Sequence, residues 1–148
     1  MLADLLHPDR VQVGLRLRDK EAALRAIASL LTKPEGVANE EIVYDVLLER
    51  ERLASTGIGS AVAIPHGRYD GVSELRAAVA VCSAGVDFDA VDRLPVKILV
   101  GIVGPRSMPQ KHLAALAGVS RILRKDDKRQ ALLRATDNAE AYRILIDP

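Results

Sequence analysis

A histidine held between proline and glycine, in Ala63-Ile64-Pro65-His66-Gly67-Arg68, is the part of this sequence best suited to chemistry. Pro65 has no N–H and pushes Ile64 away from helical angles, while Gly67 permits backbone geometries closed to other residues. The segment therefore reads as a short strand ended by a tight turn that presents His66. Upstream stands Arg50-Glu51-Arg52-Leu53-Ala54-Ser55-Thr56-Gly57-Ile58-Gly59, which adds hydroxyls, cations and glycine-freed backbone amides. An imidazole near Ser55, Thr56, Arg50 and Arg68 suits phosphoryl transfer, which asks mainly for positioning and for neutralisation of the equatorial oxygens. The nucleophile in such a step is the neutral imidazole, with one ring nitrogen free and the other held by a hydrogen bond.

Other chemistries find less support. His7, His66 and His112 lie far apart, and no His-Glu-x-x-His pattern or pair of cysteines occurs, so no metal site is expected. Gly57-Ile58-Gly59 lacks the third glycine of a dinucleotide fingerprint and no Gly-Lys-Ser/Thr follows it, so no nucleotide cofactor is expected either. A Ser-His-Asp hydrolase drawn from Ser55, His66 and Asp89 has no nucleophile-elbow pattern around its serine.

The elements that must hold His66 in place follow from periodicity. Val11, Val13, Leu15 and Leu17 alternate with polar residues or glycine, the period of a half-buried strand. Asp19 caps a helix whose stripe runs through Leu24, Ile27, Leu30 and Leu31 until Pro34 and Gly36 stop it. Asn39 with Glu40 and Glu41 starts a second helix that buries Val43, Val46 and Leu47 and fades at 55–59. Ala61 to Ile64, Ala77 to Cys82 and Val96 to Val103 are apolar runs of strand length, the last buried on both faces. Ser107-Met108-Pro109-Gln110 matches a capping box ahead of a helix through Leu113, Leu116, Val119 and Leu123. A short helix over Lys128 to Arg134 and another opened by Asp137 close the chain. A strand, two helices, several strands and then helices predict an α/β fold with a mixed sheet.

Length and composition bound the rest. The 148 residues make one domain, 1–148, and 49% hydrophobic with 28% charged residues is ordinary globular composition. With 21 basic and 20 acidic side chains the net charge is +1, and there is no Trp, one Phe and three Tyr. Neither a phosphate backbone nor stacked bases would be attracted, so nucleic acid is not an expected partner. The lone Cys82 cannot form an internal disulfide and reads as a small buried hydrophobe. Asp4 and His7-Pro8 interrupt any export signal, and nowhere do about 18 apolar residues run together. A cytoplasmic protein without membrane insertion is expected.

On Ser55-Thr56-Gly57-Ile58-Gly59, Ala63-Ile64-Pro65-His66-Gly67, Phe88-Asp89-Ala90 with Asp92 and Pro95-Val96, and His112-Leu113, the chain closely resembles the enzyme IIA proteins of the bacterial phosphotransferase system. The resemblance is to the branch holding the fructose, mannitol and nitrogen-regulatory types, and it spans nearly the whole chain. It implies a mixed five-stranded sheet flanked by helices. It also implies that His66 carries the phosphoryl group, that His112 is the second active-site histidine and that Arg50 supports the phosphohistidine. Ser60 stands where the mannitol branch is usually acidic, and no fused transport domain is expected, so the chain looks most like the nitrogen-regulatory type. The implied donor is a phosphohistidine carrier protein (HPr-like), and the acceptor or ligand is an enzyme IIB or a regulatory target. A fructose-type enzyme IIA and a purely regulatory binding protein switched by phosphorylation stay open as alternatives.

The supporting residues have plainer readings beside these. Ser55, Thr56 and Gly57 could be a helix-ending turn, Arg68 a surface charge, and His112 a half-exposed residue beside Leu113. Arg50 and Arg52 point about 200° apart on a helix, so only one can face His66.

Overall fold

In the computed structural model residues 2–34 and 38–148 are described. Their order is α1 (Leu2–Leu5), a 3-10 turn (Pro8–Arg10), β1 (Val11–Gln12), α2 (Lys20–Leu31), α3 (Glu40–Leu53), β2 (Gly57–Gly59), β3 (Val62–Ala63), β4 (His66–Arg68), β5 (Arg76–Val86) and β6 (Val96–Gly104). Three helices follow: α4 (Pro109–Leu123), α5 (Asp126–Arg134) and α6 (Asn138–Ile146).

The sheet is mixed and helices flank it, as expected. Its order is β1-β5-β6-β3-β2, with β4 also on β6. The count is six because Pro65 breaks the last pairing before the chain rejoins β6 as β4. β5 and β6 are antiparallel, β1 runs parallel to β5, and β3 and β4 both run parallel to β6. Period-two alternation then sorts β6 into two faces. Leu99 and Val103 meet Leu24, Ile27 and Leu31 of α2 and Leu47 of α3 on one side. Ile98, Val100 and Ile102 meet Leu123 of α4, Leu132 of α5 and Leu145 of α6 on the other. A strand buried on both faces is what the unbroken apolar run at 96–103 requires.

Local signals set several boundaries. The Asp19 carboxylate accepts from Ala22 N–H at 2.8 Å, and the Asn39 side chain accepts from Ile42 N–H at 3.2 Å. Asp137 accepts from Glu140 N–H at 2.8 Å and opens α6. Gly36, expected to help stop α2, lies outside the described residues. The strand expected over Val11 to Leu17 is laddered at Val11 and Gln12 and then keeps one more bond to β5, from Leu15 N–H to Val81 O at 3.2 Å, because Gly14 turns to φ +74° and Val13 N–H is taken by Asn138 Oδ1 at 2.9 Å. The expected Ser107 cap is not formed. With Pro109 at the first helical position, the cap falls on Met108 and carries no side-chain bond.

Candidate functional site

β4 brings His66 to the edge of β6, with His66 opposite Ile102 and Gly67 opposite Val103. His66 therefore begins a strand, one residue past the Pro65 break, where the sequence led us to expect a turn. A Cβ on Gly67 would lie 2.3 Å from Val46 Cγ1, so the missing side chain is what lets α3 pack directly against β4. That close approach fixes which face of α3 looks at His66. Val46, Glu49, Arg50 and Leu53, at i, i+3, i+4 and i+7, line an open cavity of about 490 Å³ that His66, Gly67 and Arg68 also line. Arg52 falls off that stripe and is exposed.

The opposite wall is the first turn of α4. His112, Leu113 and Leu116 line the same cavity. His112 is 4% exposed, well buried rather than half exposed, and its Nδ1 is buried without a hydrogen-bond partner. The His66 and His112 ring centroids are 5.7 Å apart. Arg106, from the loop between β6 and α4, completes the lining. Its backbone N–H and Nη1 donate to Asp70 at 2.8 and 3.1 Å. Three guanidinium groups, Arg50, Arg68 and Arg106, thus share one cavity with two imidazoles.

Hydrogen bonding fixes the tautomer of His66. Its Nδ1 lies 2.7 Å from the Ile64 carbonyl, which can only accept, so Nδ1 is the protonated nitrogen and Nε2 carries the lone pair. Burial lowers the pKa of His66 below its usual 6.5, and the Arg50 and Arg68 charges lower it further, against the opposing pull of the Ile64 bond and Glu51. His112 is pushed down to about 4 by burial first, then by Arg68 and His66. Both rings are neutral at pH 7, the state a nitrogen nucleophile requires.

His66, His112, Arg50, Gly67 and Arg68 are brought together, while Ser55 and Thr56 are not among the lining residues. The Ser55 hydroxyl donates to Phe88 O at 3.2 Å, and the Thr56 hydroxyl donates to Glu51 Oε1 at 2.5 Å. Gly57 is occupied with packing too, since a Cβ there would lie 2.7 Å from Ala90 Cβ. These residues brace the segment behind the cavity. Arg106 was missed by sequence reasoning. Its one local signal is Gly104-Pro105-Arg106, a cation just past a buried strand and ahead of the helix bearing His112.

Among the described residues no group of His, Cys, Asp and Glu is arranged to hold a metal ion, and no helix is long and apolar enough to cross a membrane. A second cavity, about 390 Å³, lies on the far side of α4, where Leu2, Leu5, Leu75 and Val119 line it and no histidine does.

The fold and this cavity together define a three-layer α/β domain built around two facing, neutral imidazoles walled by arginine. The chain belongs to the EIIA 2 family of the phosphoenolpyruvate-dependent sugar phosphotransferase system, whose model matches residues 4–147. It is 32% identical over 147 residues to a nitrogen regulatory protein of Bradyrhizobium diazoefficiens, covering 99% of this chain and 95% of that one. It is 36% identical over 128 residues to the fructose-specific EIIA component of Haloferax volcanii, covering 86% of this chain and 83% of that one. The crystal structure of the nitrogen regulatory protein IIA-Ntr from Neisseria meningitidis matches it with a TM-score of 0.87 at 28% identity, covering 97% of each chain.

Proposed function

We propose that this chain is a phosphorelay protein of the nitrogen-regulatory type, which accepts a phosphoryl group on Nε2 of His66 from a phosphohistidine carrier protein and controls partners by its phosphorylation state. The observation that carries this reading is the Nδ1 bond of His66 to Ile64 O at 2.7 Å, which leaves the Nε2 lone pair as the nucleophile. As the donor's N–P bond breaks, its electrons return to the donor ring, and the Nε2–P bond forms. No proton need cross, because the proton stays on Nδ1, hydrogen-bonded to the Ile64 carbonyl. Arg50 and Arg68 are placed to neutralise the phosphoryl oxygens, since a guanidinium offers two parallel donors. His112, neutral and facing His66, supplies a hydrogen bond to the group as it arrives.

The surface around the cavity supports switching. Leu53 and Leu113 are 80% and 68% exposed beside the three guanidinium groups. An apolar, cationic face suits an acidic partner, and phosphorylation adds about −1.5 to −2 charge there, which weakens that attraction. The nitrogen-regulatory relative, matched over nearly its whole length, favours regulation. The fructose-specific relative favours a second reading, transfer onward to an enzyme IIB. Incubation with a phosphorylated carrier of the HPr type, followed by mapping of an acid-labile phosphoryl group, tests the relay. Label on His66 is expected, and label absent or elsewhere overturns it. Adding an enzyme IIB separates the two readings: rapid loss of label to it favours transport.

A further inference from the structure

We infer that Glu51 is a positioning residue for His66, acting through Thr56 and Ile64, and that its buried carboxylate stabilises the charge His66 acquires when phosphorylated. The inference rests on the phosphoryl-acceptor reading of His66. Glu51 is 5% exposed and occupies the buried stripe of α3 with Val43 and Leu47, each four residues from the next. An apolar residue would be ordinary there, and a carboxylate at that depth needs partners. It has them. Oε1 accepts from Thr56 N–H at 3.0 Å and from the Thr56 hydroxyl at 2.5 Å, and Oε2 lies 2.9 Å from Lys20 Nζ.

The path to the imidazole is short and continuous. Thr56 O accepts from Ile64 N–H at 3.0 Å, and Ile64 O accepts from Nδ1–H of His66 at 2.7 Å. Glu51 thus fixes Thr56, Thr56 fixes the Ile64 peptide, and that peptide fixes the tautomer of the ring. Charge adds a second effect. With Nδ1–H retained, phosphorylation at Nε2 leaves a positive charge on the imidazole, which a nearby buried carboxylate favours. Lys20 does not cancel it, because the same ammonium lies 3.5 Å from Asp89 Oδ2, so one cation serves two carboxylates. The other charged or titratable groups around the cavity are Glu49 and Arg50 from α3, Arg68 from β4, Arg106 from the β6–α4 loop and His112 from α4. The arginines oppose charge on the ring, His112 is neutral, and Glu49 is an exposed carboxylate screened by solvent, which leaves Glu51 as the buried favourable one.

Glu51→Gln keeps an acceptor oxygen for Thr56, removes the charge and turns an NH2 toward Lys20, whose ammonium retains Asp89 as a partner. NMR titration of the His66 imidazole in the unphosphorylated variant should give a pKa lower than in the unaltered protein by roughly half a pH unit. The phosphoryl-transfer equilibrium with the carrier should shift about threefold toward the carrier, the same effect expressed on the phosphorylated ring. A purely structural Glu51 would lower the melting temperature and leave both readings where they were, and that result overturns the inference. The unaltered protein supplies a second measurement that no folding defect can obscure. The 13Cδ resonance of Glu51 should move as His66 is protonated, and a resonance flat through that titration also overturns it. Failure of the carrier to phosphorylate His66 would remove the relay reading, yet would leave both titrations readable.

Discussion

His66 and His112 face each other across the cavity with ring centroids 5.7 Å apart and planes inclined by 56°, one ring from the start of a strand and the other from the first turn of a helix. Neither ring stacks on the other, and both line the same cavity. The roles are unequal. His66 has its Nδ1 committed to a carbonyl, while His112 has a buried Nδ1 with no partner.

His66→Gln is expected to abolish labelling by a phosphorylated carrier. The residue is half-buried on a short strand whose ladder uses backbone groups, so the fold should survive. Mass spectrometry under alkaline conditions reads the outcome. An acid-labile phosphoryl group on the variant would move the acceptor elsewhere.

His112→Ala should slow transfer by roughly ten- to a hundredfold, the scale of one lost transition-state hydrogen bond. His66 should still become labelled at long times. Single-turnover rates in both directions check this, and unchanged rates would remove His112 from the mechanism.

Arg50→Ala should reduce transfer by about ten- to a thousandfold, or about 1.4–4 kcal/mol, whereas Arg52→Ala should change little. Arg50 shares the cavity-facing stripe with Val46 and Leu53, and Arg52 is exposed off it. Arg106→Ala should fall between them and depend more on salt, because this exposed guanidinium is already paired with Asp70 at 3.1 Å. The three variants measured with one carrier at two salt concentrations separate these roles. Equal losses that vanish at high salt would mean that the arginines act only in docking.

Much of this arrangement was legible because its signals are local. Asp19 and Asn39 each cap a helix through an amide three residues on, and Pro65 with Gly67 marks the candidate site at His66 within five residues. Arg106 was not legible in the same way. It reaches the cavity only because β4 and β6 run side by side, and its partner Asp70 is 36 residues away. Ser55 and Thr56 misled for a related reason. Their hydroxyls lie near His66 in sequence, but the turn after α3 aims them at Phe88 and Glu51. Glu51 did leave a local trace, a carboxylate in step with Val43 and Leu47, which reads as a charge on the buried side of a helix.

Acid should destabilise the protein through these two histidines before most carboxylates titrate. Both have folded pKa values below 6.5, so on unfolding they bind protons the native state excludes. Stability is therefore full above about 6.5, the unfolded value, and is lost as pH falls toward the folded values. For His112, with a folded value of about 4, the loss across that window is on the order of 3 kcal/mol. Urea midpoints at pH 7.5 and 5 should differ more for the unaltered protein than for His112→Ala. An equal difference in both would mean that His112 is not held neutral by burial.

Gly67→Ala tests the packing that aims α3 at His66. The added methyl would lie 2.3 Å from Val46 Cγ1, with the Val46 carbonyl oxygen behind it at 3.5 Å, so the helix must move or the side chain must yield. Overpacking of this kind costs typically about 1–3 kcal/mol. A displaced α3 would also carry Arg50 away from the imidazole, and phosphotransfer should fall along with stability. Val46→Ala removes the colliding atom, and by itself it should cost about 1 kcal/mol or less from so partly buried a site. Combined with Gly67→Ala it should recover most of the lost stability and transfer rate, giving a coupling energy of about 1 kcal/mol or more in the double-mutant cycle. Strictly additive losses would show that Gly67 is needed for something other than room beside Val46, and the close approach of β4 to α3 would no longer account for the position of Arg50.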